Sequence, residues 1–182
     1  MKLKTYLLAL AMVAFGLTAA PVLANDTRGS ELSVWGAAGE FENERHTEHY
    51  RVEVRHSFME VAGVEVFGSA RGEYNDHPVD ELERHAFVGG GFYWKDWRVE
   101  LVGNEKRFRS SILFIAPTET WDIRGGVIHG NKWEKGFKQT GLHVSVGYPI
   151  GEHFTVGAFY DIQNTTMRSV DDLYGGFLRA NF

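Results

Sequence analysis

Residues 173–182, Leu173-Tyr174-Gly175-Gly176-Phe177-Leu178-Arg179-Ala180-Asn181-Phe182, decide how the rest of the chain is read. Tyr174, Gly176, Leu178, Ala180 and Phe182 alternate with Gly175, Phe177, Arg179 and Asn181. Successive side chains of a strand point to opposite faces. One face is therefore apolar and ends on an aromatic ring, while the other carries a guanidinium and an amide. A water-soluble domain seldom finishes on an amphipathic strand with a terminal Phe.

The same period of two recurs upstream, and no segment after the first two dozen residues shows a persuasive helical period. In His49–Phe58, Tyr50, Val52, Val54, His56 and Phe58 oppose Arg51, Glu53, Arg55 and Ser57. In Val64–Tyr74, Val64, Val66, Gly68, Ala70, Gly72 and Tyr74 oppose Glu65, Phe67, Ser69, Arg71 and Glu73. Ala86 to Trp94, Trp97 to Gly103, Leu142 to Tyr148 and Phe154 to Ile162 continue the pattern, and Glu31 to Phe41 forms a weaker first strand. Such spans are long enough for a tilted strand to cross a bilayer. Short links at Met59–Gly63, Lys95-Asp96 and Pro149–Glu152 alternate with more polar ones at Glu42–Glu48, Asn75–Glu83 and Asn164–Asp172. Tight turns on one side and larger loops on the other are the habit of membrane barrels. Phe58, Trp94, Trp97, Tyr148, Phe154 and Phe182 crowd the short-turn side, as an interfacial aromatic girdle requires.

The N-terminus agrees. A short basic stretch containing Lys2 and Lys4, an apolar run from Tyr6 to Leu17 and the small-residue site Val22-Leu23-Ala24 read as a secretory signal peptide, residues 1–24, cut before Asn25. Residues 25–182 then form one domain. Without Lys2 and Lys4, 17 Lys and Arg face 24 Asp and Glu, a mature net charge of about −7. An acidic chain does not suggest a nucleic-acid partner. An apolar content of 43% argues against a helical span beyond the signal, whereas a barrel evades such scans because only every second residue faces lipid. With no cysteine there is no disulfide framework, thiolate metal site or lipoprotein acyl site.

With Leu173 to Phe182 as its most specific element, the chain resembles the small Gram-negative outer-membrane barrels of the OmpA/OmpX type. The resemblance implies an all-β, antiparallel up-and-down transmembrane barrel that reaches the outer membrane through the periplasm. It also implies a last strand that pairs with the first and is read by the barrel-assembly machinery, with Tyr174, Leu178 and Phe182 as the signal. Outer-membrane lipid and lipopolysaccharide would surround it. The strand number lies between eight and ten. It turns on residues 105–138, where Ser110 to Ala116 is apolar on both faces and Thr120 to His129 alternates again. Counting both as strands gives ten, which is slightly preferred; treating them as a long hairpin gives eight.

If the apolar set meets lipid, the other set lines the lumen. Arg51, Arg55, Arg71, Arg98, Arg124 and Arg179 then face Glu53, Glu65, Glu73, Glu100, Asp122 and Asp161, six of each sign. A pore selecting one ion sign would show an excess of one charge. A balanced set predicts Arg–carboxylate pairs that fill a narrow barrel, because a buried charge without a partner is costly. The leading expectation is a structural or surface-interaction protein that acts through its outer loops on an unspecified ligand. A small ion or solute channel is the alternative, and a lipid A modifying enzyme the second.

The chemical motifs weigh less. His46-Thr47-Glu48-His49 has the spacing of a metal pair but nothing fixes a third ligand. Asn75-Asp76-His77-Pro78 invites comparison with ten-stranded outer-membrane proteases, yet it is an ordinary turn sequence without a second acidic pair. Ser110 and Ser111 lie near a loop end, and sequence assigns no base to either; His129-Gly130-Asn131 lacks a neighbouring serine. Gly89-Gly90-Gly91 sits inside a strand with no helix after it and is no phosphate loop. No catalytic residue, metal or cofactor is assigned.

Overall fold

The computed structural model describes residues 29–41, 45–76, 83–116, 118, 120–132, 138–165 and 168–182. The signal-peptide reading of residues 1–24, the His77 turn and the 133–137 loop tip lie outside the described residues. The described chain forms β1 (Ser30–Phe41), β2 (Arg45–Val61), β3 (Val64–Asp76), β4 (Glu83–Trp94) and β5 (Trp97–Gly103). Then follow β6 (Arg107–Ala116), β7 (Asp122–Lys132), β8 (Lys138–Ile150), β9 (Phe154–Thr165) and β10 (Arg168–Asn181). Each strand pairs antiparallel with its sequence neighbours, and β10 returns to β1 to close a ten-stranded barrel. Residues 105–138 therefore supply two full strands, which settles the count at ten. Closure leaves no sheet edge with unpaired backbone groups, the condition for crossing lipid with strands.

Period-two patterning becomes a wall with two different sides. Val34, Val52, Val88, Leu101, Ile112, Val127, Leu142, Val144, Leu178 and Tyr174 all face outward and are exposed. Arg179 and Glu53 face inward and are 0% and 1% exposed. An exterior of this composition is solvated by hydrocarbon; in water it would be one continuous exposed apolar patch. Both β1 and β10 begin or end at the short-turn end, where Ser30 N donates to Phe182 O at 2.7 Å and Phe182 N to Ser30 O at 2.9 Å.

The turns are tighter than the sequence suggests. β2 continues through Met59 to Val61, leaving only Ala62 and Gly63 as the loop, both at positive φ (53° and 77°) as a type I′ hairpin requires. The extra residue is absorbed at Phe58, where the β2–β3 register slips by one in a bulge. β8 runs through Pro149 to Ile150 before its turn.

Inward-facing glycines make room for the lumen filling. A Cβ on Gly157 would lie 2.5 Å from the Phe177 ring and 2.3 Å from the carbonyl of Val146, and one on Gly147 would also crowd Phe177. Gly91 likewise yields to Phe67. The lumen is packed against bare backbone at these positions.

Candidate functional site

β1, β2, β3, β5, β6, β7 and β10 all contribute charged side chains to the lumen, and five arginines and five carboxylates join into one connected chain. At one end Arg109 pairs with Glu73 at 2.7 Å. Arg71 lies 3.7 Å from Glu73, 2.8 Å from Glu53 and 3.2 Å from Glu100. Arg55 bridges Glu53 at 2.5 Å and Glu100 at 3.3 Å, and also holds Glu31. Glu31 in turn meets Arg124 at 3.3 Å and Arg179 at 3.4 Å, and Asp122 binds the same two arginines, at 2.7 Å in the case of Arg124. The guanidinium suits this work because its planar fork can serve two carboxylates at once.

A second cluster fills the lumen beside the first. Trp35 stacks on Phe177 with centroids 4.6 Å apart and meets Phe159 edge-on at 5.1 Å; Ala37 and Leu173 complete the group. The Trp35 indole N–H donates to Ser33 Oγ at 2.9 Å. Arg51 lies 4.3 Å above the Trp35 ring and Arg179 4.9 Å above that of Phe177, so cation–π contacts tie the aromatic cluster to the charged one. Phe67 packs on Tyr93 at 4.9 Å, and Arg109 sits over Phe87 at 5.5 Å.

Of the twelve charged residues read from the sequence as lumen lining, Arg55, Arg71, Arg124 and Arg179 pair with Glu53, Glu73, Glu100 and Asp122 in the combinations above. Three others take different roles. Arg51 lies over the Trp35 indole and forms no ion pair with Glu53, Glu73 or Asp161 among the described contacts. Asp161 pairs with His143 at 2.5 Å, directly across the β8–β9 ladder. Arg98 is buried with its Nε unpartnered among the described residues. Glu65 is buried on the same lumen wall. Sequence reasoning missed Glu31, Arg109 and His143, although each stands in the inward phase of its strand.

The proposed girdle residues Phe58, Trp94, Trp97, Tyr148 and Phe154 are exposed, as are Tyr174, Leu178 and Phe182 of the closing strand. Trp97 packs on Phe114 and Trp121 on Tyr148, which extends the aromatic ring around the short-turn end. Among the described residues no group of three or more His, Asp or Glu could hold a metal. The side chain of His46 is outside what is described, and His49 faces the lumen beside Glu73. Ser110 faces outward and is registered directly opposite His129, whereas Ser111 faces the other way.

No protein-family profile and no curated protein matches this sequence. Among solved structures, the beta domain of the Bordetella autotransporter BrkA aligns at 10% identity and a TM-score of 0.41, over 85% of this chain and 99% of that one. Ail, the attachment invasion locus protein of Yersinia pestis, aligns at 11% identity and 0.38, over 86% and 100%. A triple mutant of the Rhodopseudomonas blastica porin aligns at 7% and 0.28, over 84% and 100%. Likenesses this distant say nothing of function, and the ten-strand architecture stands on its own pairing.

Proposed function

We propose that this chain is an integral outer-membrane β-barrel with a closed lumen, serving as a structural or surface-interaction protein through the loops at the end opposite its termini. The observation that carries this reading is the ion-pair chain from Arg109 through Arg71, Arg55 and Glu31 to Arg179, which crosses the interior while the Trp35–Phe159–Phe177 cluster fills the space beside it. A conducting pore needs a water column whose walls carry unpaired charge or carbonyl rings. Here the guanidinium forks of Arg55, Arg71, Arg109 and Arg124 are spent on carboxylates, and Arg51 and Arg179 lie over aromatic faces. A ten-stranded barrel is only slightly wider than those whose interior side chains alone can fill. Lipid and lipopolysaccharide are its surroundings and the barrel-assembly machinery its route of insertion.

Planar-bilayer recording on the refolded protein tests this directly. No steady conductance is expected. A stable, ion-selective open level in the unmodified protein would replace the closed barrel with a small channel.

A further inference from the structure

The lipid-facing wall of β6, β7 and β8 is apolar up to one row. Ile112 and Phe114 on β6, Val127 on β7 and Leu142, Val144 and Val146 on β8 are exposed on it. The next outward position on each strand is polar: Ser110, His129 and Thr140, which are directly registered with one another across three neighbouring strands. His129 Nδ1 and Thr140 Oγ1 are 3.0 Å apart, and the Phe108 ring lies 6.2 Å from the imidazole. Ser110 makes no side-chain hydrogen bond to any described residue.

Thr140 stands eight residues up β8 from Tyr148 of the lower aromatic ring, about 26 Å along the strand and roughly 20 Å along the axis at an ordinary tilt. That is the upper part of an apolar band about 25 Å tall. Polar groups at this depth are costly unless hydrogen-bonded, and among the described residues the three side chains make one hydrogen bond, that between His129 and Thr140. Their outward face is turned toward the membrane.

We infer that Ser110, His129 and Thr140 form a docking site for the phosphorylated sugar head group of an outer-leaflet glycolipid. This rests on the reading that the barrel is embedded with its loop end outward. The three positions span two strand spacings, roughly 10 Å, which is wider than one phosphate and suits a sugar bearing one. Two hydroxyls and an imidazole supply hydrogen bonds to ring hydroxyls and to phosphate oxygens. Phe108 offers an apolar face to the sugar ring.

The refolded protein and its His129→Leu/Thr140→Val variant would each be incubated with diphosphoryl lipid A or with phosphatidylglycerol, and retained lipid read by native mass spectrometry. The unmodified barrel should retain lipid A in preference to phosphatidylglycerol, and the double variant should lose roughly tenfold of that retention, the size of one charge-assisted hydrogen bond. Ser110→Ala, a milder change, should lose part of it, and serves if the double variant fails to fold. Equal retention by variants and parent overturns the site, as does equal retention of both lipids by the parent. Bound lipid shortened by one acyl chain overturns docking in favour of hydrolysis. Conductance by a barrel that still retains lipid A would sink the closed-lumen reading and leave this site standing.

Discussion

Glu31 on the first strand and Arg179 on the last meet across the seam that closes the barrel, with Arg179 Nε 3.4 Å from the carboxylate. The contact is electrostatic: Nε is not aligned as a hydrogen-bond donor toward any described partner. Glu31 also takes Arg55 from β2 and Arg124 from β7. Its position next to Ser30, whose backbone exchanges two hydrogen bonds with Phe182, makes seam pairing and lumen packing parts of one arrangement.

Glu31→Ala should therefore destabilise more than its place at the start of a strand suggests. It takes one carboxylate from each of Arg55, Arg124 and Arg179, which keep only Glu53, Glu100 and Asp122 between them, and breaking a buried pair by removing one partner typically costs about 3–5 kcal/mol. Glu60→Ala, at an exposed position beside the β2–β3 turn, should change stability by less than about 0.5 kcal/mol. Urea unfolding of the refolded proteins in detergent reads both. Equal effects would mean that the lumen is wet enough to solvate the arginines.

Gly157→Ala should destabilise by overpacking. The new methyl would meet the Phe177 ring at 2.5 Å and the Val146 carbonyl at 2.3 Å. Forcing a methyl into a packed interior costs about 1–3 kcal/mol. Phe177→Leu in the same chain should return part of that loss, since it removes one of the two obstacles. Additive losses in thermal unfolding would show that the backbone carbonyl alone sets the penalty.

These two sites mark where the sequence was legible and where it was not. Alternation assigns a face to each residue, so Glu53, Arg71 and Arg179 could be placed in the lumen from their phase alone. Phase does not say which strands lie across the barrel from one another. That depends on strand number and stagger, and residues 105–138 left the number open between eight and ten. Arg109 and His143 sit in or beyond that stretch, and their partners Glu73 and Asp161 could not be matched to them. Glu31 belongs to a first strand whose weak alternation hid its role. The lumen aromatics were missed for another reason. Phe67 and Phe177 share the polar phase of their strands, and a period-two reading that divides charge from apolar character has no place for a ring on the charged side. The register of Ser110 with His129 needed the β6–β7 ladder itself.

Phe182→Ala should lower the amount of barrel assembled in the outer membrane while leaving export to the periplasm intact. The ring is exposed at the short-turn end, where it would anchor the seam in the interface. Its backbone bonds to Ser30 remain in the variant, so the folded barrel, once formed, should be nearly as stable as the parent. Fractionation compared with unfolding of refolded protein separates the two effects. Normal membrane levels would remove Phe182 from the assembly signal.

Arg71 provides the sharpest separation of plug from pore. Its guanidinium lies within 3.7 Å of Glu53, Glu73 and Glu100, all of them buried. Arg71→Ala should cost stability on the scale of a broken buried pair, about 3–5 kcal/mol, and Glu53→Ala should do the same by removing a carboxylate that Arg71 and Arg55 share. The double variant should cost less than the two losses added, because each single change already breaks the Arg71–Glu53 pair that the two residues share. In planar bilayers the parent and the double variant should both stay closed, because Arg55, Glu31, Arg124 and the Trp35 cluster still cross the section. Additive, small losses accompanied by a charge-dependent change in ion selectivity would identify a hydrated conduit, and the closed barrel would give way to the channel.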